Sequence, residues 1–192
     1  MLKRIYLPGE IYFITTKTFK NQKIFDNSLI CELLIKVLVD CRLKYKFKLY
    51  GYVIIPDHVH LLIMPAEQNN ISDAIRHIKG RFARLYNHQI AADKFRGYAN
   101  DKLSPWPEFH LSADKNQTPP RRRGIHPRQV WQKSFYDHII RNDLDFEEKL
   151  NYIHGNPIKH KITDNLDNYP WSSYQNYYFN KNDLIKIDYP DL

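Results

Sequence analysis

A chain of 192 residues with 43% hydrophobic and 14% aromatic residues has the length and apolar content for one packed domain, which excludes wholesale disorder. Lys and Arg outnumber Asp and Glu by 29 to 21, a net charge of +8 that suits a polyanionic partner, nucleic acid above all. No apolar run reaches bilayer length, the opening MLKRIYLPGE does not read as a signal peptide, and Cys31 and Cys41 fit neither a disulfide framework nor a zinc knuckle; the expectation is a soluble, cytoplasmic protein with no membrane association.

In chain order, the first strand is expected at Ile11–Thr16 (IYFITT), after the Pro8-Gly9 break. A helix follows over Ser28–Leu43; its stripe of Ile30, Leu34, Val37, Leu38 and Cys41 has helical spacing and makes Cys41 a core residue. GYVIIPDHVHLLIM, Gly51–Met64, reads as two adjacent strands that begin near Phe47 and are joined tightly at Pro56-Asp57. On the second strand, alternation puts His58 and His60 on one face and Val59, Leu61 and Ile63 on the other. Two imidazoles side by side on a rigid strand are a ready pair of metal ligands, although a bare His-x-His is as often a pair of ordinary half-exposed histidines. Ser72 is a good N-cap for a second helix reaching about His88, with a core stripe of Ile75, Ile78, Phe82 and Leu85. Arg76, Lys79, Arg81 and Arg84 lie off that stripe, either solvated or facing nucleic-acid phosphates.

From about 91 to 128 the pattern dissolves into a proline-bearing stretch that includes Arg121, Arg122 and Arg123 in a row. It reads as a loop insertion within a single domain spanning 1–192; the three arginines could clamp a DNA backbone, an exposed basic loop being the default. A strand is expected over Val130–Ile140 (VWQKSFYDHII), then a helix capped by Asn142 or Asp143. The succession β-α-β-β-α-β-α predicts an α+β fold, an antiparallel-rich sheet with helices packed on it. The tail, 169–192, carries Trp171, Tyr174, Tyr177, Tyr178 and Phe179, which could stack on unpaired bases, although packing against the domain is the simpler role.

On the last helix Phe146, Leu150 and Ile153 share a face that should bury against the sheet. Tyr152 lies roughly 160° from Leu150, so its hydroxyl is not aimed into that core, and Asn156 is its neighbour one turn on. A tyrosine on the polar face of a helix is usually just surface. Beside an amide one turn away, and with a His-x-His strand elsewhere, Tyr152 becomes a candidate nucleophile next to a metal site. Its rival is Tyr136, in the SFYDH strand near His138.

GYVIIPDHVHLLIM, RHIKGRFARLYN, VWQKSFYDHIIRNDLDF, LNYIHGNPIKH and YPWSSY, in that order, resemble the single-tyrosine HUH transposases, and within them most closely the REP-associated tyrosine transposases. The resemblance covers roughly residues 11 to 178 and implies an HUH, ferredoxin-like sandwich that cleaves and rejoins single-stranded or hairpin DNA through a 5′-phosphotyrosine. It implies Tyr152 as nucleophile, His58 and His60 as metal ligands, and Asn156 as the third, a place that glutamine often fills in insertion-sequence members. The stretch 91–128 matches no family block. The resemblance leaves both monomer and homodimer open.

Phosphodiester chemistry asks for a polarised phosphate, which a hard divalent ion such as Mg²⁺ or Mn²⁺ supplies as a Lewis acid. A phenol with an ordinary pKa near 10 needs activation by its surroundings. His138 and His154 are candidate proton carriers, each more simply structural; Lys159, His160 and Lys161 could hold the DNA backbone. Two other readings compete: a domesticated, non-mobile DNA-binding protein of the same fold, and a rolling-circle replication initiator-like nickase, a class that commonly runs longer with helicase domains. A metal-dependent hydrolase is disfavoured because no Asp or Glu cluster completes the ligand set.

Overall fold

The structure, a computed structural model, describes residues 6–96 and 129–190, with side chains for 6–88 and 129–190. The insertion beyond residue 96 and the Arg121–Arg123 run lie outside the described residues. The elements are β1 (Tyr12–Lys17), α1 (Ser28–Tyr45), β2 (Lys48–Ile55), β3 (His58–Met64), α2 (Ile71–Arg96), β4 (Tyr136–Ile139), α3 (Asp143–Lys159) and a short α4 (Tyr174–Phe179). This is the expected α+β succession with α4 added. The strands form one sheet in the order β2-β3-β1-β4, and each neighbouring pair is antiparallel. That order is the split β-α-β arrangement of ferredoxin-like folds.

Strand alternation sorts the apolar residues into two layers. Tyr12, Ile14, Val59, Leu61 and Ile63 pack beneath α1 and α2, whereas Phe13, Val53, Ile55 and Leu62 pack against Phe146 and Ile153 of α3. Because helices cover both faces, β2 and β3 are buried along almost their whole length. The α3 helix comes down closely on β2 at Gly51, next to a register irregularity: a Cβ there would stand 3.0 Å from Leu150 Cδ1. Asn142 starts α3 by accepting the Asp145 N–H, as expected of one of the two predicted caps.

The two sheet edges differ. The tail lies along β2, with Ile54 N–H donating to the Trp171 carbonyl (2.9 Å), Ser173 N–H to that of Tyr52 (2.9 Å) and Asp188 N–H to that of Leu49 (2.8 Å). The tail therefore packs on the body of the domain, with Tyr177 donating to the Tyr50 carbonyl. Among the described residues, no strand pairs with the outer edge of β4.

Three expectations are corrected. The strand over Val130–Ile140 is reduced to Tyr136–Ile139, plus an isolated bridge between Thr18 and Trp131. The buried Trp131 ring turns into the core between Phe25 and Phe82, centroids 5.8 and 5.2 Å away, and this draws the backbone out of the ladder. At the start of α2, Asn70 rather than Ser72 caps the helix, accepting the Asp73 N–H at 2.8 Å, while Ser72 hydrogen-bonds Tyr6. The α2 helix also runs on past His88 to Arg96.

Candidate active site

The face of the sheet beneath α3 carries the histidine pair. His58 and His60 stand on β3 with ring centroids 4.8 Å apart, and their strand pairs with β1 so that Thr15 lies opposite His60 and Lys17 opposite His58. Each imidazole is held through Nδ1. His58 Nδ1 is 2.7 Å from Asp57 Oδ1, in the hairpin turn, and His60 Nδ1 is 2.8 Å from Thr15 Oγ1. This second layer of partners fixes the rings and leaves Nε2 as the outward nitrogen, the usual arrangement for metal-binding histidines. Burial pushes the His60 pKa down to about 3, and the nearby Lys17 and Lys159 ammonium groups act in the same direction. Burial lowers that of His58 too, against the opposing pull of Asp57. Both rings are therefore neutral and able to donate a lone pair.

Above them, Tyr152, Asn156, Lys159 and His160 follow one another at helical spacing along one flank of α3. The Tyr152 ring is 39% exposed and stands edge-on to His60 (5.3 Å) and to Phe13 (5.8 Å). Lys159 Nζ lies 4.8 Å from the centre of the same ring. Asn156 is fully buried and donates from Nδ2 to the Tyr152 carbonyl at 2.6 Å, which fixes which end of the amide is the oxygen. The described residues contain four buried side-chain polar atoms without a hydrogen-bond partner, and two of them are His60 Nε2 and Asn156 Oδ1. Each of these two is a buried acceptor with a lone pair to spare, so either could hold a cation or accept from a donor. Among the described residues no three His, Cys, Asp or Glu side chains form a metal-binding group, so a cation here would rest on two imidazoles and the amide.

Several predicted residues lie elsewhere. His138, on the same sheet face, is bonded through Nε2 to both Asp145 oxygens (3.0 and 2.8 Å) and ties β4 to the start of α3. His154 faces away from Tyr152; it is buried against Tyr174 and Tyr177, with Nε2 2.9 Å from Ser173 Oγ, and burial lowers its pKa to about 4. Asp145 therefore holds His138, and Ser173 holds His154. The basic residues of α2 sit on the opposite side of the sheet from Tyr152. Arg81 pairs with Asp40 of α1 (2.6 Å), Arg76 pairs with Asp73, and Lys79 donates to the carbonyls of Gln132 and Ser134 (2.7 and 2.9 Å). Arg84 is exposed on the same helix.

His160, expected only as a backbone contact, has its ring 5.2 Å from that of His58. Lys161 is exposed just beyond it, in a left-handed conformation (φ 55°). The sequence reading missed Phe13, Thr15, Lys17 and Asp57. Asp57 adjoins His58 in sequence and could have been suspected; the other three reach the site only through the register of β1 against β3.

Residues 11–103 match the family model described as "Transposase IS200 like". The chain is 28% identical over 173 residues to a Haemophilus influenzae protein provisionally named as a REP-associated tyrosine transposase, spanning 90% of this chain and 84% of that one. It is 21% identical to an Escherichia coli K12 REP-associated tyrosine transposase, over 90% of this chain and 81% of the relative. A solved structure of a REP-associated tyrosine transposase bound to a REP hairpin shares the fold, with a TM-score of 0.62 at 20% identity, covering 91% of this chain and 82% of that one.

Proposed function

From the match of residues 11–103 to the IS200-like transposases, we propose that the chain is a member of that family and cleaves and rejoins single-stranded DNA at hairpin or repeat ends, with Tyr152 as the nucleophile. The observation that carries this reading is the Tyr152 ring, partly open to solvent and edge-on to His60, on the helix flank that also bears Asn156. A hairpin substrate is favoured because a relative of the same fold is bound to one.

In the reaction, the phenolic oxygen of Tyr152 attacks the scissile phosphorus and the P–O3′ bond breaks. The phenol proton is released to solvent, and the departing 3′ oxygen takes one up. The 5′-phosphotyrosine keeps the energy of the broken bond for rejoining to an incoming 3′-hydroxyl. Lys159, over the Tyr152 ring, and Lys17, opposite His58, would meet the negative charge of the bound phosphate. His58, His60 and Asn156 would hold a divalent ion, Mg²⁺ or Mn²⁺; the orphaned His60 Nε2 and Asn156 Oδ1, with both imidazole Nδ1 atoms already engaged, fit such an ion. When bound, the ion supplies Lewis-acid neutralisation of the phosphate oxygens.

The test is incubation of the protein with end-labelled single-stranded hairpin DNA and Mn²⁺, followed by denaturing electrophoresis. A labelled band of protein mass that disappears in Tyr152→Phe is expected. Tight hairpin binding with no adduct would instead favour a non-catalytic DNA-binding protein.

A further inference from the structure

Tyr136 opens β4 with 59% of its surface exposed. In the ladder it lies opposite Thr15 of β1, and Thr15 on its other side lies opposite His60. Tyr136 and His60 are therefore level with each other, two strand spacings apart, on the order of 10 Å. Phe13 is the floor between them. Its ring stacks on His60 (5.2 Å, 17°) and meets both Tyr136 (6.4 Å) and Tyr152 (5.8 Å) edge-on.

Charge divides this surface into two ends. At the histidine end, Lys159 and Lys17 stand beside the rings. At the Tyr136 end, the neighbouring cation on α3, Lys149, is already paired with Glu148 (2.9 Å) and Asp145 (3.8 Å). A phosphate is drawn to the first end and an uncharged, flat group to the second.

Resting on the proposed function, we infer that Tyr136 is a nucleobase-binding residue: its exposed ring stacks on an unpaired base next to the scissile phosphate and sets the register of the strand over Tyr152. Stacking on an aromatic ring tolerates any base and is the usual way single strands are held. The ring does this, not the hydroxyl, so Tyr136→Phe retains the function and Tyr136→Ala loses it. Because the side chain is largely exposed, neither substitution should unfold the protein.

The experiment uses a DNA hairpin with a ten-nucleotide single-stranded flank in which one 2-aminopurine is walked along the flank. Wild type, Tyr136→Phe and Tyr152→Phe should all quench the probe at the same one or two positions. Tyr136→Ala should lose that quench and bind on the order of tenfold more weakly. Its deficit should vanish when the stacked position is abasic, a coupling that a merely structural role would not produce. Equal quenching by Tyr136→Ala and wild type, or no position quenched by wild type, overturns the inference. An adduct formed through Tyr152 without Tyr136-dependent quenching overturns only the stacking role. Tyr136-dependent quenching without any adduct overturns the proposed cleavage and leaves the base-binding role standing.

Discussion

The ring of Tyr152 stands edge-on to that of His60, with centroids 5.3 Å apart and planes at 78°. One group comes from the last long helix and the other from the central hairpin, so the contact exists only once α3 has docked. Replacing Tyr152 by Phe removes one oxygen and leaves this packing intact. The covalent adduct should therefore vanish while hairpin affinity stays within about twofold, since a partly exposed hydroxyl contributes little to binding. Tyr136→Phe should still form adduct. Electrophoresis of adducts beside fluorescence anisotropy checks both; an adduct retained by Tyr152→Phe and lost in Tyr136→Phe would reverse the assignment.

The hydrogen bond that the His60 Nδ1–H donates to Thr15 Oγ1, with Nε2 kept as the lone-pair nitrogen, makes a separable prediction about metal binding. Thr15→Val keeps the shape of the side chain but frees the imidazole to rotate. Outer partners of this kind are worth about 10–100-fold in metal affinity. Mn²⁺ titrations followed by electron paramagnetic resonance should show that weakening, with adduct formation recovered at high Mn²⁺. His60→Ala should lose both binding and rescue. Equal Mn²⁺ affinity in wild type and His60→Ala would remove His60 from the ligand set.

How much of this was legible beforehand follows from the range of the interactions. The β2–β3 hairpin could be read because period-two alternation and Pro56-Asp57 are local signals. The Tyr152–Asn156 pairing could be read because helical geometry fixes a residue and its neighbour one turn on. Phe13, Thr15 and Lys17 could not: their place beside the histidines depends on β1 pairing with β3, and nothing within either strand specifies that register. His138 and His154 look in sequence like any other histidines near the helix that bears Tyr152. Only the fold reveals their partners, Asp145 for one and Ser173 for the other. The shortened β4 reflects a tertiary override, since the burial of Trp131 outweighs the strand propensity of its neighbours.

The distribution of cations predicts which ones matter for DNA. Lys17 and Lys159 lie on the Tyr152 side of the sheet, whereas Arg76 lies on α2 on the far side and is paired with Asp73. For single strands, each phosphate contact contributes about 0.7 to the slope of log affinity against log salt. The double variant Lys17→Ala, Lys159→Ala should flatten that slope by about 1.4, and Arg76→Ala should leave it unchanged. Anisotropy titrations over a salt series measure both. A flattened slope in Arg76→Ala alone would move the DNA path to the α2 face.

His154 yields a prediction about stability and pH. It is buried at 4% exposure between α3 and α4, its Nε2 meets Ser173 Oγ, and burial depresses its pKa from 6.5 to about 4. The native ring is thus neutral at a pH where the unfolded chain would protonate it. Between those two values the unfolded state binds the extra proton, so the sign of the linkage is that stability rises with pH and falls on acidification. The contribution is fully present above the unfolded value of 6.5, declines below it, and stops changing once pH has passed about 4. His58 and His60 contribute in the same direction, so the wild-type profile alone cannot isolate the effect. His154→Gln retains a polar partner for Ser173 but cannot titrate. Urea unfolding at about pH 7.5 and about pH 5 should show a loss of stability in wild type that is smaller in the variant by about 2 kcal/mol. The same loss in both proteins would mean that His154 is not the buried neutral group that its packing against Tyr174 and Tyr177 requires.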